Sequence, residues 1–157
     1  MARKVRAIPR DYPVLTPYLI CKDASRAIAF YTKVLGATEK MRMPTPDGRV
    51  GHAELRFGES MIMLADEHPE MGFRSPQAIG GSPVSLHLYV ENVDGVFQRA
   101  IASGAKERQP VENKFYGDRS GTIEDPFGHV WTLATRVEDV PPEEMEKRAA
   151  ALSSQQK

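Results

Sequence analysis

The chain carries one passage twice. Asp23-Ala24-Ser25-Arg26-Ala27-Ile28-Ala29-Phe30-Tyr31 leads to Gly36-Ala37, and about seventy residues later Asn92-Val93-Asp94-Gly95-Val96-Phe97 leads to Gly104-Ala105. Phe57-Gly58 and Phe127-Gly128 each sit between two apolar alternating runs. A repeat of this length is a whole supersecondary unit, strand–helix–strands, copied once. Two such units facing each other are expected to enclose a cleft, and the functional site is expected there.

Within each copy the pattern reads β-α-β-β-β. Val14–Cys21 is a short apolar run suited to a strand. Asp23 can cap a helix by accepting from its first free N–H groups. Ala27, Ile28, Tyr31, Val34 and Leu35 then follow helical spacing, and Gly36 ends it. Val50–Phe57 alternates, Gly58-Glu59 makes a two-residue hairpin turn, and Ser60–Ala65 returns. In the second copy Val84–Glu91 is a strand, and Asn92 or Asp94 caps a helix bearing Val96, Phe97, Ala100 and Ile101. A hairpin then turns at Asp125-Pro126-Phe127-Gly128. The predicted organisation is an irregular arm at 1–13, unit one at 14–66, a Gly/Pro-rich linker at 67–83, unit two at 84–136, and a C-terminal helix and tail at 137–157. That last helix starts at Pro141-Pro142-Glu143-Glu144, shows one modest stripe of Met145, Ala149 and Leu152, and should fray from Ser153. The fold class is α+β, with each helix covering one face of its sheet.

Bulk properties exclude several classes of function. With 157 residues, the chain can bury a core as one domain. Lys+Arg and Asp+Glu are both 21, so a nucleic acid held by charge is not expected as partner. Zero net charge also favours self-association. No stretch approaches the apolar length a membrane helix needs, so no membrane partner is expected. The only cysteine, Cys21, cannot form an intrachain disulfide, which suits a reducing cytoplasm.

Strand alternation names the sheet face left open by the helices. Unit one offers Thr16, Tyr18, Ile20, His52, Glu54, Arg56, Met61, Met63 and Ala65. Unit two offers Ser85, His87, Tyr89, Thr122, Glu124, Val130 and Thr132. A one-residue slip would exchange the faces of any strand. Cys21 and Trp131 fall on the helix-covered faces and read as core, whereas His129 reads as a solvent-facing turn residue. Phe115, Tyr116 and Arg119 sit on a loop before the second hairpin. Arg119 can hold an anion or form an ordinary salt bridge with Asp118 or Glu112.

The residues Leu19-Ile20-Cys21-Lys22-Asp23, followed by Ile28-Ala29-Phe30-Tyr31-Thr32-Lys33-Val34-Leu35-Gly36, resemble the first unit of the vicinal oxygen chelate superfamily. Glyoxalase I, bleomycin-resistance proteins, fosfomycin-resistance enzymes and extradiol dioxygenases belong to it. Glu124-Asp125-Pro126-Phe127-Gly128-His129 resembles the turn before the last strand of that superfamily. Gly117-Asp118-Arg119-Ser120-Gly121 and Val137-Glu138-Asp139-Val140 are similar to its PhnB-like branch. The resemblance implies paired β-α-β-β-β units and a homodimer. It says little about reaction, because members do different chemistry.

Metal enzymes of that superfamily hold a divalent ion with His, Gln or Glu from the first and last strands of each unit. Carried onto this chain, the four positions become Thr16, Met63, Ser85 and Thr132. Three hydroxyls and a thioether do not suit a hard or borderline divalent ion. No cofactor or metal is therefore expected. The leading expectation is a small-molecule binding protein that sequesters a planar or amphipathic ligand without metal. Its wall would use Tyr18, Ile20, Met61, Met63, Tyr89 and Val130, with His52, Glu54, Arg56 and His87 as polar anchors, and Thr16, Ser85, Thr132 and Arg119 complete the expected ligand-binding set. A relocated metal held by His52, Glu54, His87 and Glu124, serving a lyase, isomerase or transferase, is the alternative. A second alternative is metal-free acid–base chemistry, with Glu54 or Glu124 raised in pKa by burial and working with His87. Glu54 could equally pair with Arg56 or with a charge on a neighbouring strand.

Overall fold

The computed structural model describes residues 5–156. These form two compact units that divide between Gly80 and Gly81. Each unit holds a four-stranded mixed sheet with a helix across one face, so the fold is α+β.

In unit one, β1 (Tyr18–Cys21) leads into α1 (Ala24–Lys33) and then β2 (Thr38–Pro44), β3 (Val50–Phe57) and β4 (Ser60–Asp66). The sheet order is β1-β4-β3-β2. The β1–β4 pair is parallel and the other two pairs are antiparallel. Asp23 caps α1, its side chain accepting from the Arg26 amide at 3.1 Å. Leu19, Leu64 and Ala53 lie in one register row and are buried on the face that α1 covers. Leu55 and Ile62 extend that core. The opposite face carries Tyr18, Met63, Glu54 and Met41 in one row. The Gly58-Glu59 turn joins β3 to β4 as the sequence predicts, Gly58 supplying a φ of 59°.

Unit two repeats the plan with β5 (Ser85–Tyr89), α3 (Val93–Ala102), β6 (Lys106–Asn113), β7 (Asp118–Glu124) and β8 (Val130–Arg136) in the order β5-β8-β7-β6. Trp131, Ile123 and Leu133 are buried on the face against α3, together with Phe97 of that helix. The open face has rows Ser85–Val130–Glu124 and His87–Thr132–Thr122. Alternation therefore assigns both faces correctly in the paired strands. The edge strands β2 and β6 shift register against their neighbours, and β6 tolerates Pro110 because an edge strand has N–H groups that no ladder needs.

Four expectations need correction. The first strand begins at Tyr18, not Val14, and Val14 and Leu15 are exposed. Pro17 lacks the N–H that would carry the ladder further back, and pairing with β4 starts at Tyr18. The 67–83 stretch is not a bare linker. It holds a 3-10 turn at Pro69–Met71 and the short helix α2 (Pro76–Ile79), which Ser75 caps. Glu67 accepts from the Ser75 amide at 3.0 Å and also from its hydroxyl, fastening the stretch to the end of β4. The last helix, α4 (Pro142–Gln155), runs beyond Ser153 and buries none of its residues. Finally, His129 is half-buried, because Asp125 gathers the turn around it.

Candidate functional site

Unit one contains a cavity of about 780 Å³. Its floor is the open sheet face, through Tyr18 and Ile20 of β1, Val50 of β3 and Ala65 of β4, and Gly51 and Asp66 line it from the ends of β3 and β4. Its rim comes from the Thr45–Arg49 turn on one side and Glu67–Phe73 on the other. Met71 is 66% exposed and Phe73 46% exposed, so two large apolar side chains stand at the rim without being buried. A backbone bridge between His68 and Phe73 shapes that rim.

The polar lining is largely committed. Asp66 accepts from the Ala24 amide at 2.8 Å and the Val50 amide at 2.7 Å, so it ties the first turn of α1 to the start of β3. The Thr45 hydroxyl donates to Asp47, and this bond first of all holds the Asp47 carboxyl below its ordinary value. Hydrogen bonds from Ser75 do the same for Glu67, against the opposing effect of burial. Arg49 donates to the Glu67 carbonyl at 3.2 Å.

A second polar group lies beside this cavity on the same face. Glu54 is only 3% exposed. Its Oε1 accepts from the Tyr12 hydroxyl at 2.7 Å, its Oε2 lies 3.1 Å from His52 Nε2, and Lys40 Nζ approaches to 3.8 Å. The Lys40 ammonium also stands 3.8 Å from the Tyr12 ring centroid, a cation–π contact. His52 Nδ1 is 2.8 Å from the Tyr18 hydroxyl. Burial is the largest influence on Glu54 and pushes its carboxyl up. Hydrogen bonds from Tyr12 and His52, with the Lys40 charge, outweigh it, and the carboxyl titrates below its ordinary range. The expectation of a raised Glu54 pKa is thus reversed: sequence shows the burial but not the three donors that gather around it. The partner is Lys40 of the neighbouring strand, whereas Arg56 donates to the Asp11 carbonyl at 3.2 Å.

The other sequence-named residues fall in different places. Met61 is buried and Met63 half-buried on the open face of unit one, and Thr16 precedes β1. In unit two His87 packs its ring 5.0 Å from that of Tyr89, and Tyr89 donates to the buried Asp118 at 2.7 Å. Glu124 pairs with Arg108 at 2.8 Å. Thr132 shares a hydrogen bond with Thr122 at 2.9 Å, and Ser85 is exposed. Arg119, expected on a loop as an anion holder or salt-bridge partner, lies in β7. It stands opposite Thr135 on the helix-covered face, and its guanidinium forks onto Asp94 of α3 at 2.8 and 2.9 Å, not onto Asp118 or Glu112. Glu112 pairs with Lys114 instead. Arg148 donates to the Phe115 carbonyl at 3.0 Å, so the Phe115-Tyr116 loop is fastened to α4.

Of the sequence-named ligand residues Tyr18 and Ile20 line the cavity, and Ala65 of the predicted face joins them. Among the residues missed are Tyr12, Lys40, Val50, Met71 and Phe73. Three sit in stretches with no periodicity, and only the clustering of Met71 and Phe73 in a polar segment was a usable signal.

The donor set does not suit a resident metal at the inherited positions. Thr16, Met63, Ser85 and Thr132 bring no imidazole or carboxylate, and the Thr132 hydroxyl is already shared with Thr122. Among the described residues no three His, Cys, Asp or Glu side chains converge into a metal-holding group. No helix among them is long and apolar enough to cross a membrane.

Known proteins share this plan. Residues 13–133 match the family model of the Glyoxalase/Bleomycin resistance protein/Dioxygenase superfamily, and the chain belongs to that superfamily. The uncharacterized protein Mb0911c of Mycobacterium bovis is 44% identical over 146 residues, which cover 91% of this chain and 94% of that one. Among solved structures, TioX from Micromonospora sp. ML1 is 26% identical with a TM-score of 0.61, and the match covers 82% of this chain and 100% of that one. A PhnB protein from Bacillus cereus is 20% identical with a TM-score of 0.61, covering 78% of this chain and 99% of that one, a likeness of fold.

Proposed function

We propose that this chain is a small-molecule binding protein of the superfamily, taking an amphipathic or planar ligand in the unit-one cavity without a metal ion. The observation that carries the reading is the cavity itself. Its volume lies within the roughly 300–1,000 Å³ range of ligand sites. Its walls combine Ile20, Val50, Met71 and Phe73 with a few fixed polar groups. Met71 and Phe73 gain apolar burial only when something covers them, and Met adapts its shape to flat ligands. Metal independence rests on the hydroxyl and thioether side chains at the inherited ligand positions. A homodimer in a reducing cytoplasm completes the reading, supported by the zero net charge and the single buried Cys21.

The test is titration with N-phenyl-1-naphthylamine, a neutral apolar dye, followed by fluorescence. Saturable uptake of one dye per chain is expected, weakened about tenfold by Phe73→Ala, since that change removes most of one aromatic contact. Uptake is expected to survive exhaustive chelation. Uptake unaffected by both Phe73→Ala and Ile20→Asp would sink the cavity assignment, and a chelation loss restored by divalent metal would sink metal independence. Light scattering across a concentration series checks the dimer.

A further inference from the structure

One group of residues at this cavity is built for more than holding a ligand. Tyr18 is 47% exposed and lines the cavity, while its hydroxyl sits 2.8 Å from His52 Nδ1. His52 Nε2 sits 3.1 Å from the buried Glu54 carboxylate. An ionised carboxylate only accepts, so the Nε2 position carries the proton. In the neutral imidazole Nδ1 is then the acceptor, and the Tyr18 O–H donates to it. Glu54 is itself immobilised by Tyr12 and Lys40, so the imidazole is held in one tautomer and one orientation. A nucleophile, a base within hydrogen-bond reach and a third group orienting the base form the signature of an activated nucleophile. Here the nucleophile is a phenol.

We propose that Tyr18 is a base-assisted nucleophile, set by His52 and Glu54, toward esters and other electrophilic acyl or sulfonyl compounds whose apolar body fills the unit-one cavity. The proposal rests on that cavity as the binding site. Tyr18 Oη attacks the acyl carbon as its proton passes to His52 Nδ1, and the resulting imidazolium faces the Glu54 carboxylate. The bond to the leaving oxygen breaks, and that oxygen takes the proton from Nδ1. An acyl-Tyr18 ester remains. Water then attacks it, giving one proton to Nδ1, and the phenol oxygen leaves and recovers that proton. Burial first, and then the Glu54 charge, raise the pKa of the phenol, so it is protonated at neutral pH and depends on His52 during the step. Glu54 on the same strand, and Lys40 and Tyr12 from neighbouring segments through Glu54, are the charged and titratable groups grouped with His52 and Tyr18.

Tyr89 of unit two is an internal comparator. It is 57% exposed and donates to a carboxylate, Asp118, with no imidazole as acceptor. The full-length protein is treated with phenylmethanesulfonyl fluoride, and modified tyrosines are mapped by peptide mass spectrometry over time. In this reaction the S–F bond breaks, fluoride leaves, and the phenolic proton passes through His52 to solvent. Tyr18 is expected to be sulfonylated at least about tenfold faster than Tyr89, and about a hundredfold more slowly once His52→Gln removes the base. Equal rates at Tyr18 and Tyr89, or a Tyr18 rate unchanged in folded His52→Gln, would overturn the proposal. The Tyr18 to Tyr89 ratio in the unaltered protein decides the matter even if that variant does not fold. Dye uptake by the unaltered protein separates the two readings. Uptake without labelling of the parent protein ends the nucleophile reading alone, and labelling without uptake by the parent ends the cavity reading.

Discussion

Glu54 shows how a buried charge is kept by its neighbours. A carboxylate this enclosed would be neutralised without compensation, yet Tyr12, His52 and Lys40 supply three partners and lower its pKa. A carboxyl whose folded pKa lies below its unfolded value stabilises the fold fully above the unfolded value, about 4.3 for Glu. That contribution is lost as pH falls through the folded pKa. Urea midpoints measured between neutral and acid pH should therefore drop at the acid end, and Glu54→Gln should flatten part of that drop. Tyr12→Phe removes one charge-assisted hydrogen bond and should cost about 1.5–3 kcal/mol in urea unfolding. Asp125 is the counterpart in unit two. It is buried and accepts from the Phe127 amide at 2.9 Å, the His129 amide at 3.0 Å and the Trp131 indole at 2.9 Å. Asp125→Ala leaves these donors without it and should cost at least about 3 kcal/mol, read from Trp131 fluorescence during unfolding.

At the scale of elements, the helices differ in what secures them. In α3, Phe97 packs so tightly on β7 that a Cβ at Gly121 would lie 2.8 Å from both Phe97 Cε2 and Val111 Cγ2. Gly121→Ala should therefore overpack the helix against its sheet and lower stability by about 1–3 kcal/mol, measured by thermal unfolding. In contrast, α4 buries no residue. It is held by Arg148, which reaches Glu138 at 2.7 and 3.0 Å, Glu144 at 3.1 Å and the Phe115 carbonyl at 3.0 Å. Arg148→Met should speed amide hydrogen exchange along α4 while leaving exchange in β7 and β8 unchanged. The two capped helices were legible because Asp23 and Asn92 accept locally and their apolar residues recur at helical spacing. The start of β1 was not, because Val14-Leu15 has the composition of a strand but no partner in the sheet.

At the scale of the molecule, the repeated passage becomes two sheets with the same strand order and the same parallel closing pair. Period-two alternation was enough to place Tyr18, His52, Glu54 and Met63 on one face, since strand geometry leaves no other choice once the register is fixed. It was not enough to place the cavity. The rim comes from Thr45–Arg49 and Glu67–Phe73, which have no periodicity and take their shape from backbone bonds and from Glu67 holding Ser75.

Local pattern and side-chain chemistry carried the duplicated β-α-β-β-β plan, the superfamily and the core faces. Which polar groups meet followed from long-range packing. Tyr12 reaches Glu54 across 42 residues, Tyr18 reaches His52 across 34, and Arg119 turns away to Asp94 across 25. Such pairings depend on how arms, turns and helix ends pack around the sheets, and long-range packing leaves no period in the chain to read.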